Sequence, residues 1–301
     1  MAKRNRKPSL ASEGDNFDIS NQKMNPQRRI TGNVLTILSM VFAAAIVAPL
    51  LWVLFSVFER GVDALVFPDI FTKLPPPPGL AEGGFGHAIV GTLMVLGVAI
   101  SIAVPVGVLA AIYLAEFGRG TRLAYFVKFS ANVLSGIPAI MCGLFAYSIV
   151  VRRFGSFSAF SGGVALAVLM LPYIIRATEE ALLLVPNEMR LAARGIGATQ
   201  FQTITQIVLP AALTSIVTGV VLATARAAGE AAPLLFTAFN NTYWSTSVWE
   251  PTATMPVLIY FFSIMPYQAS QSLAWAASLV LLAMVMTFSI LARLLTRKKK
   301  F

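Results

Sequence analysis

Charge, cysteine and histidine are all scarce in this chain, and each scarcity narrows what it can be. Only 12% of its 301 residues are charged, against roughly a quarter in soluble globular domains, while 57% are hydrophobic. That balance points to an integral membrane protein. A single cysteine, Cys142, rules out an intramolecular disulfide. One histidine, His87, and no cysteine pair leave no metal-binding pattern, and no GxxxxGK[ST] phosphate loop offers a nucleotide site. Any chemical energy that the protein uses therefore comes from another polypeptide. His87 stands near the outer end of an apolar run and reads as a membrane-interface residue.

Acidic residues are also outnumbered, which leaves a formal charge of +10. The excess is not spread over a soluble face that could follow a nucleic-acid backbone. Lys3, Arg4, Arg6, Lys7, Lys23, Arg28 and Arg29 precede the first apolar run, and Arg293, Arg297, Lys298, Lys299 and Lys300 end the chain. Flanking clusters of this kind set membrane orientation, and they place both termini in the cytoplasm. Residues 1–32 read as a disordered basic tail, 33–296 as one transmembrane domain and 297–301 as a basic C-terminus.

A membrane helix needs about 20 apolar residues to cross the hydrocarbon core. Runs of that kind extend over Val34–Val57, Gly86–Glu116, Val133–Val151, Gly163–Leu184, Ala211–Phe236 and Ser272–Leu295. Six spans are expected, the second bent near Pro105 and Gly107. Residues 59–85, with Pro75–Pro78, read as an external loop, and Arg119, Arg122 and Lys128 as a basic cytoplasmic loop. Between residues 240 and 268 there is no Lys or Arg, and Tyr243, Trp244, Trp249, Tyr260 and Tyr267 suit a membrane interface. The apolar run Met255–Met265 in that stretch is too short to span.

Between the fourth and fifth spans lies VPNEMRLAARGIGATQFQTITQIVLP. Pro186 and Asn187 start a short helix, with Asn187 as its cap. Gly195 and Gly197 stop it. Thr199 with Gln202 three residues later has capping-box spacing for a second helix, and Pro210 marks the entry to the fifth span. The segment is either a polar connector or a helical hairpin built to touch another protein.

The fifth span carries the charges that matter most. Gly219, Ala223, Ala227 and Ala231 form a small-residue stripe for close helix packing. Arg226 and Glu230 stand beside it at i and i+4, where a helical ion pair can form. Two readings follow. The pair neutralises itself or pins helices together, or Arg226 offers phosphate-like anions its planar fork of donors while Glu230 holds it and weakens its grip. Arg176 likewise reads either as an anchor at the cytoplasmic end of the fourth span or as part of an inner anion gate.

Several of these residues also resemble a known family. Ala192, Ala193, Gly197, Ile207, Leu209 and Pro210 are similar to the cytoplasmic signature of the binding-protein-dependent permeases of type I ABC importers. The signature's Glu is Leu191 here. The run Ala223–Thr246, with AIYLAEFGR, IPAIMCGLFAYSIVV and LPYIIRATEE, resembles the phosphate-specific members. The resemblance implies an all-α membrane protein of six transmembrane helices with the type I importer fold, and it makes the hairpin a coupling helix touching an ATP-binding subunit through Leu191, Ala192, Ala193 and Gly197. It further implies a heterodimer with a second permease chain, two ATP-binding subunits that hold ATP and Mg, and an extracytoplasmic phosphate-binding protein, all in a bacterial inner membrane. On this reading the chain itself is no enzyme and binds no cofactor. Alternatives are the same architecture serving sulfate or molybdate, and a membrane sensor or scaffold that moves no solute.

Overall fold

Inside hydrocarbon every backbone N–H and C=O must be satisfied internally, so apolar runs of span length fold as helices. The computed structural model describes residues 26–65, 68–77, 79–80 and 83–297, and no strand occurs among them. Among the described residues five helices are long and apolar enough to cross a membrane, and a bent pair, counted as one span, brings the number to six. Most of the basic N-terminal tail, Pro78, Glu82 and residues 298–301 lie outside the described residues.

Helix α1, Pro26–Ala64, begins inside the segment expected to be tail. Its described part up to Leu54 belongs to a compact unit of its own, in which every described side chain is exposed. Phe55 onward belongs to the second unit. The helix carries Glu59, Arg60 and Asp63, which were expected in a loop, because no proline lies between Glu59 and Pro68 and the helix runs through Gly61. Arg60 lies over the Trp275 ring at 5.1 Å.

Helix α2 spans Gly86–Ile112 and continues to Phe117 as a π-helical turn. It runs through Pro105 without a break. Gly107 serves another purpose, since a Cβ there would meet Ile174 Cγ2 at 2.7 Å. Helix α3, Arg122–Gly136, takes Arg122 and Lys128 out of the expected loop. It is followed by α4, Ala139–Phe154, and the two meet at 110°. The expected third span, Val133–Val151, is thus divided between two helices. The cause is local, because Pro138 drives Ile137 into extended backbone, φ −76° and ψ 133°.

Helix α5, Ala159–Leu183, is the central element and packs against α2, α3, α4 and the fifth span. Val95, Ala99 and Ala103 of α2 meet Leu166, Met170 and Ile174 of α5 in the main core. A short helix α6, Asn187–Gly195, leads into α7, Gln200–Ala228. Within α7, residues Ile204–Val208 form a π-helical turn, as Tyr147–Val151 do within α4. Pro210 accounts for the one in α7, since proline cannot donate to the carbonyl four residues back and crowds that turn.

After Ala228 the chain leaves helical geometry, ahead of the expected end at Phe236. Pro233 and a short 3₁₀ turn, Leu234–Phe236, follow. The irregular stretch up to Thr254 is stitched to the start of α5. Ser158 N–H and Ser161 Oγ both donate to the Thr237 carbonyl, at 3.0 and 2.8 Å, and Phe160 N–H donates to Val248 at 2.8 Å. Helix α8, Met255–Ile264, is as short as expected, and α9, Gln268–Arg297, completes the bundle.

Candidate functional site

Two helices with the same residue spacing build one cleft. On α5, Tyr173, Arg176, Ala177 and Glu180 recur at i, i+3, i+4 and i+7; on α7, Gly219, Leu222, Ala223 and Arg226 do the same. That spacing puts each set on one helix face. The helices approach closely at Gly219, where a Cβ would stand 2.5 Å from Ala177 Cβ. Small residues let the backbones meet there, while the longer polar side chains line a cleft of about 310 Å³ beside the contact. Replacing Gly219 with Leu is expected to force α5 from α7 at a cost of about 1–3 kcal/mol. A melting point of the purified protein lowered by several degrees would show it.

Arg226 is half exposed to this cleft, and its guanidinium lies over the Tyr173 ring at 4.5 Å. Glu230 is not on the same helix, contrary to expectation, because α7 ends at Ala228 and Gly229 caps it. Its carboxylate still stands 4.0 Å from Arg226 Nε, the outer limit of an ion pair. Of the expected small-residue stripe, Gly219, Ala223 and Ala227 are buried on α7, whereas Ala231 falls beyond the helix.

Arg176 enters the same cleft from the facing helix. It donates to Asn132 Oδ1 on α3 at 2.6 Å, and one turn away Lys128 of α3 pairs with Glu179. Helix α3 therefore lies strapped along the charged face of α5. The two arginines, fifty positions apart in sequence, share one cleft with Glu180, and hydropathy alone does not predict that meeting.

His87 is 4% exposed and packs edge-on against Trp244 with ring centroids 6.3 Å apart, so its side chain is enclosed by the protein. Trp244, Tyr243 and Trp249 themselves remain exposed.

The hairpin of α6 and the start of α7 has two faces. Ala193 and Arg190 point into the protein, whereas Leu191, Ala192, Ile196 and Gly197 are exposed. Asn187 is the first helical residue rather than the cap, which is Pro186. Thr199 and Gln202 do form the expected capping box, with bonds of 3.2 and 2.9 Å. Sequence reasoning missed Arg190. Its guanidinium is buried, bonded to Glu116 at 2.7 Å and to the Leu182 and Val185 carbonyls at 2.8 and 2.6 Å. The signal was available only as one more arginine in a basic segment.

Among solved structures, a methionine ABC transporter, MetNI, in inward-facing form has a chain 20% identical to this one, with TM-score 0.56 over 72% of this chain and 95% of that one. A bacterial alginate ABC transporter in complex with its pentasaccharide-bound periplasmic protein gives TM-score 0.60 at 14% identity, over 86% and 94%. These likenesses show the fold, that of type I ABC importer permeases. By sequence, the phosphate transport system permease protein PstA of Yersinia pestis is 41% identical over 93% of this chain and 95% of its own. The corresponding protein PstA 1 of Mycobacterium tuberculosis is 37% identical over 91% of both. Residues 103–301 match the family described as the binding-protein-dependent transport system inner membrane component, and the chain belongs to that family of multi-pass transport proteins.

Proposed function

We propose that this chain is one transmembrane subunit of an ATP-driven importer of inorganic phosphate. The observation that carries the reading is the pairing of Arg176 and Arg226 on facing membrane helices around one cleft. It agrees with the function named for the relatives. Arginine suits a tetrahedral oxyanion because its planar fork bonds two oxygens at once. A Tyr173 ring against the guanidinium face leaves the in-plane donors free to point at an anion. Glu230, near the limit of ion-pair distance, competes for Arg226 and keeps the anion from binding too tightly to leave.

ATP is hydrolysed by two partner subunits on the cytoplasmic side, where the exposed face of the hairpin docks through Leu191, Ala192 and Gly197. Ala193, turned inward, holds the hairpin to its own bundle. A second permease chain supplies the other half of the pathway, an extracytoplasmic phosphate-binding protein delivers the anion, and both termini are cytoplasmic. The same oxyanion chemistry also fits sulfate and molybdate.

Uptake of radiolabelled phosphate, in cells lacking their own high-affinity permease and supplied with this chain and its partners, tests the reading. Suppression by unlabelled phosphate alone is the expected result; equal suppression by sulfate or molybdate would reassign the substrate. Tyr173→Leu is expected to lower uptake about three- to tenfold, the range of a partly desolvated cation–π contact, while Tyr173→Phe retains most of it.

A further inference from the structure

We infer that the buried Arg190–Glu116 pair is the joint through which movement of the hairpin reaches the spans that form the cleft. The inference rests on the proposed coupling role. Arg190 belongs to α6, Glu116 to the π-helical turn ending α2, and of the two carbonyls that Arg190 also binds, Leu182 lies in the last turn of α5 and Val185 just beyond it. One guanidinium thus ties the hairpin to two spans at once.

Its geometry is that of a fixed connection. The two side chains are 8% and 6% exposed, Arg190 Nη2 lies 2.7 Å from Glu116 Oε1, and Nε reaches the same carboxylate at 3.3 Å. Gln200, at the start of α7, donates to the Glu116 backbone carbonyl at 3.1 Å. Glu116 therefore receives both arms of the hairpin. A buried pair of this kind resists separation, because breaking it leaves an uncompensated charge away from water.

The joint sits in less regular chain. Tyr113–Phe117 and Ile204–Val208 are both π-helical turns, where i→i+5 bonding lets a helix change its winding. A rigid clamp seated in the first of these turns, and strapped through Gln200 to the chain just before the second, carries a tilt of α6 into α2 and α5. Because α5 holds Tyr173 and Arg176, such a tilt changes the width of the cleft.

Arg190 and Glu116 touch no substrate, so they are positioning residues, and the test must separate coupling from folding. Glu116→Asp keeps the charge and withdraws the carboxylate by about 1.5 Å, one carbon–carbon bond. Gln200→Ala removes only the exposed strap. In the reconstituted full complex with phosphate-loaded binding protein, phosphate moved per ATP hydrolysed is expected to fall about fivefold in the first and about twofold in the second. Backbone amides of residues 187–195, followed by hydrogen exchange in the assembled complex, should exchange about tenfold faster in Glu116→Asp while those of α8 keep their rate.

An unchanged transport-to-hydrolysis ratio in an assembled Glu116→Asp complex overturns the joint. If that variant does not assemble, Gln200→Ala decides alone, and an unchanged ratio there overturns it. Should the parent complex move no phosphate at all, the proposed substrate fails on its own. The joint is then decided by exchange, with unchanged rates at 187–195 overturning it.

Discussion

Replacing Arg226 with Gln is expected to reduce phosphate uptake about a hundredfold while the protein still assembles in the membrane. Gln keeps a hydrogen-bonding head but loses the charge and the two-pronged fork. Each charge-assisted bond contributes about 1.5–3 kcal/mol, and two bonds weakened together amount to about 3 kcal/mol, which is two decades in an equilibrium. The fold should not suffer, because the Arg226 side chain is 55% exposed and its ion pair with Glu230 spans 4.0 Å. Exposed, loosely paired charges contribute little to stability. The measurement is uptake of labelled phosphate normalised to the amount of assembled complex. Normal uptake by an assembled variant would remove Arg226 from the pathway. The companion change, Glu230→Gln, should act in the opposite sense on binding, lowering KM for phosphate while slowing maximal transport.

Arg226 also marks how far sequence reasoning reached. Its place on the fifth span and its nearness to Glu230 followed from spacing. What did not follow was that the helix stops at Ala228, so that the contact is made by a carboxylate returning from irregular chain. Hydropathy stays high through Ala231–Phe236, and an average over a window hides the stop that Gly229 and Pro233 impose. The same averaging concealed the bend at Ile137, where one proline divides an unbroken apolar run.

Contacts distant along the chain were less legible still. Arg176 looked like an end-of-helix anchor because many arginines near the last turn are. Its partner Asn132 and its cleft-mate Arg226 belong to other helices, and a single sequence carries no mark of which helices face each other. Arg190 and Glu116, 74 positions apart, are hidden for the same reason. Local rules did better. The Thr199–Gln202 box closes as its spacing requires, since it depends only on residues within a turn, and the small residues around Gly219 do allow a close helix approach, although its partner Ala177 could not be read from the spacing.

Gly197→Asp is expected to disconnect ATP hydrolysis from transport, with uptake falling about tenfold or more while hydrolysis continues and no longer responds to loaded binding protein. Gly197 closes α6 in left-handed geometry, φ +88°, with its N–H bonded to the Arg194 carbonyl at 3.0 Å and the next N–H to Ala193 at 3.0 Å. This is the Schellman ending, for which glycine is the usual residue. Asp is among the side chains that tolerate such backbone, at a cost of about 1 kcal/mol. A Cβ at this position meets nothing within 4 Å in the chain itself. The substitution therefore leaves the hairpin folded and places a charge on the exposed face beside Ile196, so a large effect must arise in the docking partner. Gly120→Asp is the control, with φ +80° and equally open surroundings but a position in the turn before α3, outside the hairpin. Loss of coupling in Gly197→Asp with normal coupling in Gly120→Asp locates the docking surface on the hairpin. Equal coupling in both would mean that the ATP-binding subunit does not approach Gly197, and the assignment of the hairpin to that partner would fail with it.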